Sequence, residues 1–308
     1  YIGLRNTVNE TTHKSAVLYT EGFDGVIAAI TIVACFVAGA SLIIWLGDQI
    51  SQKGIGNGIS MILFAGIISR VPDMVINLIK QISVAPQNWF FVPLILVIYV
   101  LMIAFVILMT NAERRIPVQY AKRVVGRKMY GGQHTHIPLK VNQAGVIPVI
   151  FSLSILQFPL TVTYFTNSAS GFTQFVTKYL SPSGSPGVWI YSILNIVLII
   201  FFTYFYTAIT FNPVEVADNM KANGGFIPGI RPGKSTVEYL SRVMTRITFA
   251  GAIFLAVIAT LPNILGSFTQ LGIGFGGTSL LIAVGVALDT MKQLESQLIM
   301  RNYSGFLK

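Results

Sequence analysis

Runs of about twenty mostly apolar residues recur along nearly the whole chain, and no other feature limits its fold as strongly. The clear ones cover residues 26–46, 89–110, 144–164, 188–211, 247–264 and 275–288. A bilayer's hydrocarbon layer takes roughly 20 helical residues to cross, and backbone in lipid must satisfy its own polar groups. The expected fold class is therefore an all-α polytopic membrane protein. Only 10% of the 308 residues are charged and mean hydropathy is +0.69, against about 25% charged in soluble domains. A seventh run, 59–79, is irregular: its apolar core spans 59–68, and Arg70, Pro72 and Asp73 then interrupt it. Half a span followed by charges suits a broken helix lining an aqueous path.

Seven spans put the two ends of the chain on opposite sides, and the basic residues assign the sides. Segment 111–140 holds Arg114, Arg115, Lys122, Arg123, Arg127, Lys128 and Lys140. Segment 212–246 adds Lys221, Arg231, Lys234, Arg242 and Arg246. Across the membrane, 262–274 carries no charge and 165–187 only Lys178. The basic segments are thus expected in the cytoplasm, with the first residue extracytoplasmic and the last cytoplasmic. This asymmetry accounts for much of the +10 net charge without nucleic acid. The chain opens at Tyr1 in a polar stretch, which suggests a fragment or a trimmed start.

The stretch GGFIPGIRPGKST, Gly224 to Thr236, ends like a nucleotide-binding loop, G-x-x-x-x-G-K-[ST]. Pro228 occupies the first glycine position, and Pro232 removes an N–H donor that such a loop needs. No buried strand is expected before it, since 213–223 reads as a polar helix or loop. Glycines and prolines instead describe a stiff turn with Arg231 and Lys234 at its tip. That is either a solvated turn or a docking prong for a large acidic or amphipathic partner. His134 and His136 have no Cys, Asp or Glu nearby and read as a surface loop rather than a metal site. Asp289 and Lys292 read as a pair on one helix face, and Cys35 as a buried structural thiol. No catalytic constellation, metal site or cofactor site emerges.

Four longer motifs carry a resemblance: GIGNGIS (Gly54–Ser60), GGQHTHIPLKVNQAGVIPVIF (Gly131–Phe151), FNPVEVADNMKANGGFIPGIRPGKST (Phe211–Thr236) and GGTSLLIAVGVALDTMKQLESQL (Gly276–Leu298). In this order, over essentially the whole chain, they resemble SecY, the central subunit of the bacterial protein-conducting channel. That family has ten transmembrane helices. The resemblance places this sequence as the last seven, a partial channel lacking the first three helices, the plug and one side of the lateral gate. Residues 1–164 would complete the N-terminal half and reach the first gate helix. Residues 165–308 would hold the rest of the C-terminal half.

The resemblance implies a passive pore and lateral gate for secretory and membrane proteins in the bacterial plasma membrane, driven by SecA or the ribosome. It implies no enzymatic activity. The pore ring would be Ile59, Leu63, Val146, Ile150 and Ile282, and Phe158 would sit on a gate helix. Ile59 with Leu63, and Val146 with Ile150, are i,i+4 pairs that each present one face. Branched aliphatic side chains can keep a constriction dry. Arg231, Lys234, Arg114, Arg115, Lys122, Arg123, Arg127 and Lys128 would face SecA or ribosomal RNA phosphates. The further partners implied are SecE, SecG, signal peptides, translocating polypeptides and membrane lipids.

On physics alone, a secondary transporter of small solutes is the alternative, having several spans with one interrupted. Against it, no membrane-embedded charge is placed to couple an ion. A membrane-embedded enzyme ranks third for want of a catalytic set.

Overall fold

The computed structural model describes residue 17 and residues 22–84, 89–120, 123–125, 128–130, 134–166, 170–181, 187–269 and 276–305. The chain opens with α1 (Gly22–Lys53), and the irregular run resolves into α2 (Gly58–Ile68) and α3 (Val71–Val84). Then come α4 (Phe91–Asn111) and a β segment of β1 (Glu113–Tyr120), β2 (Arg123–Val125), β3 (Lys128–Tyr130) and β4 (His134–Lys140). The second part comprises α5 (Ile147–Thr163), α6 (Gly171–Tyr179), α7 (Gly187–Thr210), α8 (Pro213–Ala222), β5 (Gly225–Phe226), α9 (Lys234–Thr269) and α10 (Gly277–Gly305).

Five helical stretches among the described residues are long and apolar enough to cross a bilayer, where the sequence suggested seven: Gly22–Lys53, Gly58–Lys80, Phe91–Asn111, Gly187–Ala222 and Lys234–Ser267. A sixth apolar helix, α5, has 17 residues. The expected run 275–288 forms only the first part of α10, which continues through Asp289, Lys292 and Glu295. Asp289 and Lys292 are exposed and form no ion pair; the one ion pair among the described residues is Arg115 with Glu113, at 2.7 Å. Cys35 is exposed on α1 rather than buried, because almost nothing in the described structure covers that helix.

The broken span follows local chemistry. Pro72 lacks an N–H and fits only the first turn of a helix, so α3 starts at Val71 and α2 ends before it. The α1–α2 hairpin is set by GIGNGIS. Gly56 takes φ +88°, which few side chains tolerate. The Asn57 side chain caps α2 by accepting from the Ser60 N–H at 3.1 Å. Ser51 stitches the two helices, its hydroxyl donating to Gly47 O at 3.0 Å and accepting from Gly58 N–H at 2.8 Å. A side chain at Gly58 would collide with the Gly47 carbonyl, so glycine alone permits this crossing.

The membrane core is built on α4, α7, α9 and α10, with Ile95, Val106, Ile199, Phe254, Leu255 and Leu280 fully buried. α5 packs on α7, where the Ser152 hydroxyl donates to Asn195 Oδ1 at 2.6 Å inside a fully buried interface. Pro262 lies within α9 and offers no N–H to the carbonyl four residues earlier, that of Ile258. Gly277 of α10 packs directly against that carbonyl, so closely that a Cβ there would overlap it. The proline frees an acceptor and the glycine lets another backbone approach it, a contact of the Cα–H to carbonyl type.

Gly277→Ala is expected to cost about 1–3 kcal/mol, the usual penalty of forcing atoms into a filled contact. Gly285, on the same helix, has open space around it, so Gly285→Ala should be neutral or slightly stabilising. Thermal unfolding of the two variants in detergent compares them, and equal melting temperatures would rule out a tight crossing at Gly277.

Candidate functional site

The five residues expected to form a ring lie on three helices. Ile59 and Leu63 sit one turn apart on α2, 43% and 54% exposed. Ile59 is not wholly free, because its side chain rests against Gly47 of α1. Val146 is the N-cap of α5 and is half-buried against the membrane core. Its carbonyl accepts from the Ile150 N–H at 3.2 Å, which stacks Ile150 one turn beyond it, 47% exposed. Ile282 on α10 is half-buried between the fully buried Leu281 and Ala283.

α10 packs against α2, where the Thr290 hydroxyl, which donates to Val286 O at 2.7 Å, lies 3.4 Å from Met61 Sδ. Ile59, Leu63 and Ile282 therefore belong to neighbouring helices. Val146 and Ile150 belong to a helix that packs on α6, α7 and α9, and α9 in turn packs on α10. Phe158 is 69% exposed on α5, just before the internal Pro159. Two turns earlier, on the same face of that helix, Phe151 stacks on Phe202 of α7, with ring centroids 5.6 Å apart.

The basic segments are not two separate loops. β1 pairs antiparallel with β4, with Ile116 opposite Ile137 and Val118 opposite Thr135. β1 also pairs with β5 from the second segment, matching Tyr120 with Gly225. Ile116, Val118, Leu139, Ala217, Met220, Ile227, Leu240 and Met244 close a small apolar core beneath this sheet. One platform, with its own core, therefore carries both sets of cations. His136, expected in a surface loop, is in β4 opposite Pro117.

Arg114 is exposed on β1, as is Arg115, whose Nε donates to Glu113 Oε1. Arg123 opens β2 and Lys128 opens β3, hairpin strands paired through Arg123–Tyr130 and Val125–Lys128. Lys122 and Arg127 lie outside the described residues.

The tip of the second segment is held from below. Ile227 is buried in the platform core and its carbonyl accepts from the Ile230 N–H at 3.0 Å. Gly229 and Gly233 take φ +82° and +110°, and the buried Thr236 hydroxyl donates to Arg231 O at 3.0 Å. This fixes the backbone at Arg231 while leaving its side chain exposed. Lys234 is the first residue of α9. A cation at a helix N-terminus opposes the helix dipole, typically by 0.3–1 kcal/mol, so Lys234 is not placed there for stability.

A short strand, a loop and a helix do precede and follow Gly233-Lys234, but β5 is a two-residue strand at the sheet's edge. With Ile227 and Ile230 turned into the core, the loop does not form a ring of N–H donors around an anion. Full-length protein is therefore expected to show no saturable ATP binding by isothermal titration. Lys234→Ala should leave the trace unchanged, and binding that this substitution abolishes would reverse the reading.

Comparison with known proteins assigns the chain. The SecY family profile matches residues 5–291. The chain belongs to the SecY family. It is 48% identical over 287 residues to the protein translocase subunit SecY of Streptomyces galbus, covering 92% of this chain and 65% of that protein. It is 48% identical over 298 residues to the SecY of Mycobacterium leprae, covering 92% of this chain and 66% of that protein. The chain thus spans just under two thirds of the length of these curated SecY relatives. Among solved structures, a protein-conducting channel aligns with TM-score 0.57 at 21% identity, covering 85% of this chain and 63% of that one. A SecY channel described for its plug domain aligns with TM-score 0.58 at 22% identity, covering 85% and 64%. These two share the fold. The assignment establishes a membrane protein and leaves the solute-transporter reading without support.

Proposed function

We propose that this chain supplies the larger part of a protein-conducting channel, a passive conduit without enzymatic activity of its own. It would carry secretory proteins across the bacterial plasma membrane and release membrane proteins sideways into it. The observation that carries this reading is α2, a half-length helix beside α10 whose branched aliphatic residues stay exposed. Ile59, Leu63, Val146, Ile150 and Ile282 form the constriction, a ring that stays dry at rest and parts around a peptide. α5 and α7 form one side of the lateral gate, with Phe158 on the surface that meets the exiting segment. The remaining helices of the gate come from the part of the relatives that this chain does not span.

The basic platform faces the cytoplasm and receives SecA or the ribosome through Arg231, Lys234, Arg114, Arg115 and the hairpin cations. SecE and SecG bind the helical body. The first residue of this chain is extracytoplasmic and its last is cytoplasmic. Residues 1–164 and 165–308 divide the work as the rest of the first half with one gate helix, and the remainder of the second half.

In the full-length channel, Ile282→Asn should wet the constriction and raise ion leak in planar-bilayer recordings. A folded Ile282→Asn channel with unchanged leak would remove Ile282 from the ring. Arg231→Glu should slow SecA-driven translocation by roughly tenfold, the value of one charge-assisted contact, with folded protein unchanged because the tip side chain is exposed. Near-normal translocation by this variant would exclude the tip from docking.

A further inference from the structure

Two buried polar groups are left over where α5 meets α7. Ser152 and Asn195 are fully buried there, and Ser192 is 3% exposed. The Ser152 hydroxyl donates to Asn195 Oδ1 at 2.6 Å and lies 3.3 Å from Asn195 O. Among the described residues, Asn195 Nδ2 and Ser192 Oγ meet no partner. A helical serine or threonine commonly returns its hydroxyl to the carbonyl four residues earlier. Ser154 on α5 and Thr203 on α7 do so, at 2.8 and 2.6 Å, whereas Ser192 does not. A half-satisfied polar cluster in a buried interface is less stable than an apolar one of the same shape. Packing alone therefore does not account for these side chains.

Their spacing does. α5 leads into α6, α7 leads out of it, and α6 packs on both, so α5 and α7 run in opposite directions. One turn from Asn195 toward α6 is Ser192, a rise of about 4.5 Å and a rotation of about 60°. One-turn ratchets of a helix past its neighbour are a known way for packed elements to change register. Such a step of α5 toward α6 carries the Ser152 hydroxyl from Asn195 to Ser192. The rest of the contact tolerates it, because Phe151 exchanges Phe202 for Leu198, one apolar side chain for another. The start of α5 is not pinned either. Its N-cap Val146 makes no side-chain cap bond, and Gly145 before it takes φ +63° with open space around it.

We propose that Ser192 is a second seat for the Ser152 hydroxyl, and that α5 slides one turn along α7 between the two. Ser152, Asn195 and Ser192 are then positioning residues for α5. The proposal rests on the reading of α5 as a gate helix, which takes the second register when the gate opens. The test places spin labels at Gln157 of α5 and Ile209 of α7, both exposed, in a cysteine-free full-length channel in nanodiscs. Ile209 is near the end of α7 away from α6, so the slide lengthens the separation read by pulsed electron paramagnetic resonance. Two separations about 4 Å apart are expected. Asn195→Leu removes the first seat and should raise the share of the longer separation roughly threefold, the value of one hydrogen bond between membrane helices. Ser192→Ala removes only the second seat and should lower that share by a similar factor, without lowering the melting temperature. A purely structural cluster would not give opposite shifts. A single separation in folded Asn195→Leu protein, shifts of the same sign in both variants, or an unchanged share in Ser192→Ala would each overturn the second seat. If the leucine variant fails to fold, Asn195→Ala takes its place. Should the two registers respond as stated while ion leak stays fixed, the sliding joint stands and the gate reading of α5 falls.

Discussion

Inside a bilayer no water is available to complete a backbone hydrogen bond, so each spanning helix must satisfy itself before it meets another. Apolar surface gains little by leaving lipid for a neighbouring helix, and specificity then comes from close backbone approach and a few polar contacts. The helical body follows this constraint. Gly58 lets α2 cross α1 against the Gly47 carbonyl, Gly277 lets α10 reach the Ile258 carbonyl, and Ser152 with Asn195 joins α5 to α7. Each contact seats one helix that carries candidate pore or gate residues: α2, α10 and α5 in turn.

Outside the membrane the usual rules of soluble proteins return. The platform over the helices has a buried apolar core and a sheet with ordinary alternation: Ile116 and Val118 point inward, and the Arg114 and Arg115 end is exposed. Leu240 and Met244 of α9 belong to that core, so the helix that continues into the membrane is also part of the floor of the platform. The basic surface of the platform and the membrane helix are one mechanical body.

The helical body was legible because its signals are long and local. Apolar runs marked the helices, and Arg70, Pro72 and Asp73 marked the break between α2 and α3. The motifs were specific enough to identify the family. Helix ends were less readable: α9 starts at Lys234 rather than near residue 247, since Ser235–Arg246 is helical through packing on the platform core and not through apolar length. The join between the two segments escaped notice because β5 is two residues long and pairs with β1 across about a hundred positions, Tyr120 with Gly225. The alternation of Ile116, Val118 and Tyr120 against Ile137 and Leu139 was the available clue. Cys35 was misjudged because an apolar run does not say whether a neighbouring helix covers it, and the Asp289–Lys292 pair because spacing puts two side chains on one face without bringing them into contact.

The Arg231 turn sits immediately before α9, which runs 36 residues without interruption, a length of about 54 Å. It begins in the platform, passes the buried Phe254 and Leu255, and ends beyond the crossing with α10. A load applied at the tip is therefore carried as along a rigid lever to the far face of the membrane. The single weak joint is the missing hydrogen bond at Pro262, next to the point where Gly277 bears on the shaft. Anything that pressed on the platform would thereby shift α10, the helix bearing Ile282, without touching it.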